Sequence, residues 1–274
     1  MTSHIAWDSA ATALAVLLLA AVATWLLSVR RKDVSIVDSL WGPMIALSGW
    51  TYALTAPQVG PAAVLVLMLA TLWAARLTWH ITARNWGHGE DRRYQAIRAR
   101  NEPNFPFKSL YLVFGLQAVL AWVVSLPLMA ALAGTTPLGP IGLFGIGLWV
   151  FGTVFEGVAD WQLARFKSDP QNQQRVMDLG LWRYSRHPNY FGEFCVWWGA
   201  WLVAASVGGA WTIVSPLLMT VLLLRISGVS LLEQDIGLRR PGYADYADRT
   251  SPFFPWPPRR AAAKLNGEAT SCDG

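Results

Sequence analysis

The chain has 274 residues, of which 54% are hydrophobic, only 14% are charged and sixteen are tryptophan. Water-soluble domains carry about a quarter charged residues, so a soluble globular protein is excluded and a polytopic helical membrane domain is expected. The net charge of +5 requires no nucleic-acid partner, because basic loops beside anionic headgroups account for it.

Lipid admits only helices or closed barrels, and the apolar runs here far exceed a barrel strand of roughly ten residues. The first run starts near Trp7 without a basic segment before it or a small-residue cleavage site after it. It is expected to be a retained helix and not a removed signal peptide. In chain order, seven spans are predicted at about 8–28, 35–55, 61–82, 109–132, 138–159, 190–206 and 210–232. TAPQVGP and AGTTPLGP mark the breaks before the third and fifth. The tail from 261 to 274 is expected to be disordered, leaving residues 1–260 as one membrane domain.

Basic residues alternate between the loops. Arg30, Arg31 and Lys32 follow the first span, Arg84 to Lys108 the third, and Arg165 to Arg186 the fifth, while the opposite loops near 56–60, 133–137 and 207–209 contain no Lys or Arg. The positive-inside rule then predicts an external N-terminus and a cytoplasmic C-terminus.

The ionisable residues inside or at the ends of spans gather at one depth. Asp38, Arg76, His80, Glu156, Asp160, Glu193, Arg225 and Glu233 all fall in the predicted cytoplasmic half. Such residues mark a functional cavity when they face the bundle interior. A transporter would carry some at the midplane, so the one-sided distribution suggests a pocket loaded from the cytoplasm with a large, polar, anionic ligand. Glu156 and Asp160 lie one helical turn apart, on one face. Cys195 and Cys272 have no ligand spacing, so neither a disulfide framework nor a metal site is expected.

Three segments carry a family resemblance: DVSIVDSLWG at Asp33–Gly42, GLWRYSRHPNYFGE at Gly180–Glu193 and RRPGYADYADRTSPFFPWPP at Arg239–Pro258. Together they resemble the steroid 5α-reductase-like family of integral membrane reductases, in its bacterial branch. The resemblance implies a bacterial inner-membrane enzyme that binds NADPH from the cytoplasm and reduces a C=C bond of an enone lipid such as a 3-oxo-Δ4-steroid. The family's cofactor-binding Asn and Glu match Asn189 and Glu193, its Asp matches Asp160, and a basic residue beyond it matches Lys167. Glu156 stands where the family has Asn. Tyr246 matches a C-terminal tyrosine, and Arg225 the arginine of the last span.

An NADPH ligand would also draw Arg186, Arg239 and Arg249 to its phosphates. Tyr184 and His187 would serve its neutral groups, and Glu233 belongs to the same depth. No GxGxxG follows a strand, so a Rossmann dinucleotide domain is excluded. In animal 5α-reductases a glutamate on the second span and a tyrosine on the third meet the substrate carbonyl; the nearest counterparts here are Asp38 and His80. Each has a plainer role available, Asp38 as a helix N-cap and His80 as a satisfied core residue.

Two other functions fit parts of the pattern. The RHPNY block also occurs in S-adenosylmethionine-dependent isoprenylcysteine carboxyl methyltransferases, and a non-enzymatic lipid-binding membrane protein could retain the fold.

Overall fold

The computed structural model describes residues 7–226 and 240–259, and every regular element among them is helical. In chain order these are α1 (Trp7–Arg31), α2 (Ile36–Thr55), α3 (Ala63–Asn85), α4 (Arg92–Asn101), α5 (Phe105–Ala133), α6 (Pro140–Ser168), α7 (Pro188–Ser206), α8 (Ala210–Arg225) and α9 (Tyr243–Arg249). Helix α5 includes a π-helical stretch at Leu110–Gly115. Helices α1, α3, α5 and α6 are long and apolar enough to cross a membrane, and α8 is a shorter apolar helix. Their outer faces expose Leu19, Val64, Leu72, Leu116, Phe144, Val154 and Leu217, a display that water would not tolerate and lipid tails require. The protein is therefore a multi-pass membrane protein.

The predicted spans at 35–55 and 190–206 coincide with α2 and α7. Both contain enough Gly, Trp and polar residues to dilute their hydropathy, and both bury much of their surface in the bundle. The predicted span at 210–232 begins with α8, and its last residues lie outside the described ones, as do Glu233, Arg239 and the 261–274 tail.

Local signals explain the helix ends. Asp8 and the Arg30–Arg31 pair sit at the ends of α1 that suit the helix dipole. Pro140 and Pro188 open α6 and α7, where a missing N–H costs nothing. Helix α5 lies at the centre and touches α1, α2, α3, α7 and α8.

The most extensive contact joins α6 to α7, and glycines make it. Gly145 and Gly152 on α6 face Gly199 and Gly192 on α7, so the helices run antiparallel. A Cβ on Gly152 would lie 2.5 Å from the Gly192 carbonyl oxygen, and one on Gly199 would lie 2.6 Å from the Trp149 nitrogen. Backbone thus meets backbone, as small residues allow in membranes.

Candidate functional site

The α3 face toward α6 carries Trp73, Arg76 and His80, spaced three and four residues apart. Arg76 Nη1 donates to Asp160 Oδ2 at 2.8 Å, and Nη2 forms a close ion pair with Glu156 Oε1 that lies off the hydrogen-bond axis. Trp73 Nε1 donates to Glu156 Oε2 at 3.1 Å, and His80 Nε2 lies 3.5 Å from Asp160 Oδ1. From α7, Asn189 Nδ2 donates to the same Asp160 oxygen at 3.2 Å. Glu193, one turn further along α7, is buried and hydrogen-bonded by Trp41 of α2.

Three buried carboxylates therefore gather around one guanidinium. Gly192 makes this possible, because a Cβ there would stand 2.7 Å from the Glu156 Cβ. The Arg76 Nε–H is buried without a partner, and Asn189 Oδ1 accepts no hydrogen bond among the described residues.

A second network surrounds Asp38. The Tyr94 hydroxyl donates to Asp38 Oδ1 at 2.6 Å, and Arg93 Nη2 donates to Oδ2 at 2.7 Å. Asp91 caps α4 by accepting from the Arg93 N–H at 2.9 Å. Glu90 takes the Val34 N–H at 2.9 Å and a two-pronged contact from Arg98 at 2.9 and 2.8 Å. Burial alone would push the Glu90 carboxyl up, but these hydrogen bonds and the Arg98 charge hold it below its ordinary value. For Tyr94, burial and then the Asp38 charge drive the phenol far above its ordinary value, so it remains a donor.

The resemblance pairs Asp38 with His80 at the substrate carbonyl, whereas the ring-bearing side chain that bonds Asp38 is Tyr94. Helix α3 meets α2 through Ala74, Thr78 and Thr82: Gly42 abuts Ala74, and Thr82 Oγ1 donates to Ser39 at 3.0 Å. His80 lies on the neighbouring face, toward α6. Tyr94 escaped sequence reasoning because it sits in the short polar helix α4, outside every predicted span. Its available signal was a tyrosine directly after an Asp-capped pair of arginines. The two networks adjoin at α2, where Asp38 serves α4 and Trp41, one turn on, serves Glu193. Tyr190 lies within electrostatic reach of both Arg93 and Asp160.

The remaining candidates surround this core. Lys167 is exposed two turns beyond Asp160, and its charge reaches His80. The loop before α7 docks on the C-terminal segment. Arg186 N–H donates to the Ser251 carbonyl and Trp256 N–H to the Tyr184 carbonyl, both at 2.9 Å, and Ser185 Oγ donates to the Phe253 carbonyl at 2.7 Å. His187 is buried and stacks on Tyr190 at 5.6 Å. Tyr246 is buried with its hydroxyl donating to the Trp182 carbonyl at 2.5 Å, which makes it a brace for this loop. Arg249 pairs with Asp178 at 2.5 Å, and Arg225 is exposed on α8. Among the described residues no group of three His, Cys, Asp or Glu could hold a metal ion.

Two open cavities are found among the described residues. One of about 570 Å³ is bordered by Leu27, Asp33, Ser39, Thr82 and Trp86 at the junction of α1, α2 and α3. The other, of about 400 Å³, includes Asp178, Arg183, Arg249 and Arg259 in its walls. The Arg76 cluster borders neither.

The sequence profile of a family described as "Protein of unknown function (DUF1295)" matches residues 24–250. The chain belongs to the DUF1295 family. An uncharacterized protein of Schizosaccharomyces pombe is 27% identical over 262 residues, covering 84% of this chain and 75% of that protein. No solved structure matches. The DUF1295 match includes both networks and the C-terminal segment as far as Thr250. The site of this DUF1295 protein is thus a membrane-embedded polar centre with unfilled donors and acceptors, set beside an acid–tyrosine pair.

Proposed function

We propose that the protein is an NADPH-dependent membrane reductase that adds hydride to the C=C bond of an enone lipid, with 3-oxo-Δ4-steroids as the reference substrate class. In this reading the chain crosses a bacterial inner membrane seven times, with the N-terminus outside and the polar centre open to the cytoplasm. The observation that carries the proposal is the meeting, at one end of the bundle, of the Arg76–Asp160–Asn189 network and the Asp38–Tyr94 pair.

The donor set suits a nicotinamide. A carboxamide has one acceptor oxygen and two N–H donors, matching the Arg76 Nε–H and Asn189 Oδ1, neither of which has a partner among the described residues, with Glu193 a turn away. Lys167 and Arg186 supply positive charge for phosphates at the loop side. When bound, the dinucleotide would supply the hydride.

The protein's share is to meet charge that develops on the substrate carbonyl oxygen as hydride arrives at the β-carbon. The Tyr94 hydroxyl takes this role, turning from Asp38 to the carbonyl, while Arg93 holds Asp38 in position. The α-carbon then takes a proton, so each turnover consumes one reduced cofactor and one proton and yields a saturated ketone. Asp38 thereby keeps its expected place in the acid pair. His80 becomes a partner of Asp160.

The test is spectrophotometric oxidation of NADPH by the detergent-purified protein with a 3-oxo-Δ4 lipid, wild type beside Tyr94→Phe. Turnover in the wild type that drops about 10²–10³-fold in the variant, with NADPH binding unchanged, supports the reading. Equal rates in both would remove Tyr94 from the chemistry. The methyltransferase alternative requires S-adenosylmethionine, a cationic sulfonium with a single carboxylate, to bind in place of NADPH. The lipid-binding alternative requires neither cofactor to bind.

A further inference from the structure

The cavity of about 400 Å³ bordered by Asp178, Leu179, Arg183, Arg249, Pro258 and Arg259 has no part in the reaction described above. It brings three guanidiniums together with one carboxylate, and that carboxylate is already paired with Arg249. Arg183 and Arg259 make no ion pair among the described residues, leaving the walls with an uncompensated charge of +2. Trp182, next to Arg183 in the chain, is buried and donates through Nε1 to the Ala159 carbonyl at 3.0 Å.

The surroundings are unusual for a site that meets only water. Leu179 is 63% exposed, Phe254 58% and Trp256 70%, and none of them lies on a spanning helix. On α6, the exposed Trp161 has Arg165 over its ring at 5.6 Å. Exposed aromatics beside arginines mark the headgroup level of a bilayer. Unpaired arginines there attract phosphate, and guanidinium binds it in two-pronged fashion.

We propose that this cavity binds the phosphate of an anionic phospholipid headgroup, with Arg183 and Arg259 as its ligands and Leu179, Phe254 and Trp256 dipping into the interface around it. The proposal stands independently of the reductase reading. It separates Arg249, drawn to the dinucleotide on sequence grounds, from the cofactor.

The experiment is native mass spectrometry of the full-length protein in detergent with phosphatidylglycerol or phosphatidylcholine, comparing wild type, Arg183→Gln/Arg259→Gln and a control, Arg92→Gln/Arg100→Gln. The expected result is preferential retention of phosphatidylglycerol by wild type and control, with a loss of roughly fivefold per arginine in the cavity variant. NADPH affinity, measured in parallel, should be equal in wild type and cavity variant. Equal phosphatidylglycerol retention by all three proteins would overturn the site, as would an equal loss in the control. A cavity variant that loses NADPH and keeps the lipid would reassign the phosphate to the dinucleotide and overturn the lipid proposal. Both exchanged arginines are exposed and make no ion pair among the described residues, so the fold should tolerate their loss; a folded-state check by circular dichroism accompanies the comparison.

Discussion

The two charge networks differ in how fully their valences are met. Around α4, each carboxylate is matched: Asp38 receives one donor on each oxygen, Asp91 caps a helix, and Glu90 is held by Arg98 and a backbone N–H. Around Arg76, three buried carboxylates share one guanidinium, and a buried Nε–H has no partner. Closed networks fix geometry. A buried network left open within the membrane retains an energetic cost that only a bound ligand or proton would relieve. On the proposed reading, the α4 network anchors the fold, the Arg76 network binds ligand, and Tyr94 is the one group of the closed network that does chemistry.

The contrast can be tested most severely at Arg76. Arg76→Met leaves Glu156 and Asp160 buried without their cation, and the expected loss is about 3–5 kcal/mol of stability, seen as a fall in detergent melting temperature. A wild-type melting temperature would show that the cluster is solvated and not buried.

Tyr94→Phe should do the reverse, with little effect on stability and a large one on rate. It removes one hydrogen bond, about 1 kcal/mol, and leaves Asp38 on Arg93. Turnover should nevertheless fall about 10²–10³-fold.

Gly192→Ala tests how the open network is assembled. Its Cβ would lie 2.6 Å from the Glu156 nitrogen, so α6 and α7 must part, at a cost of about 1–3 kcal/mol. Dinucleotide affinity should fall more than stability, because Asn189 would lose its reach to Asp160. Unchanged affinity would detach Asn189 from the cofactor.

The smallest effect concerns Glu90. Its carboxyl is held below the ordinary value, so its contribution is complete above the unfolded value of about 4.3 and disappears as pH falls through the lower folded value. Glu90→Gln should cost about 1 kcal/mol at pH 7, and the gap to wild type should close in acid. A gap independent of pH would mean that Glu90 acts through packing and not charge.

Much of the fold was legible because hydropathy and charge report depth. The helices, their approximate limits and the gathering of Asp38, Arg76, His80, Glu156, Asp160 and Glu193 toward one end all follow from that coordinate. Rotation about a helix axis is a separate quantity, and sequence spacing constrains it only relative to other residues on the same helix. His80 and Arg76 could be assigned to one stripe, but whether that stripe faced α2 or α6 depended on where Gly42 and Thr82 let α2 settle. Tyr94 and the loop brace at Tyr246 were illegible for a related reason. Their partners, Asp38 and Trp182, lie 56 and 64 residues away in the chain, and no local pattern encodes such a pairing.

The most direct test of the central claim is titration of the detergent-purified protein with NADPH, NADH and S-adenosylmethionine, wild type beside Asn189→Ala. The account predicts NADPH binding in the wild type and at least about a tenfold loss in the variant, since a hydrogen-bonding group in the pocket would be removed. Binding of S-adenosylmethionine alone, or NADPH binding indifferent to Asn189, would contradict it.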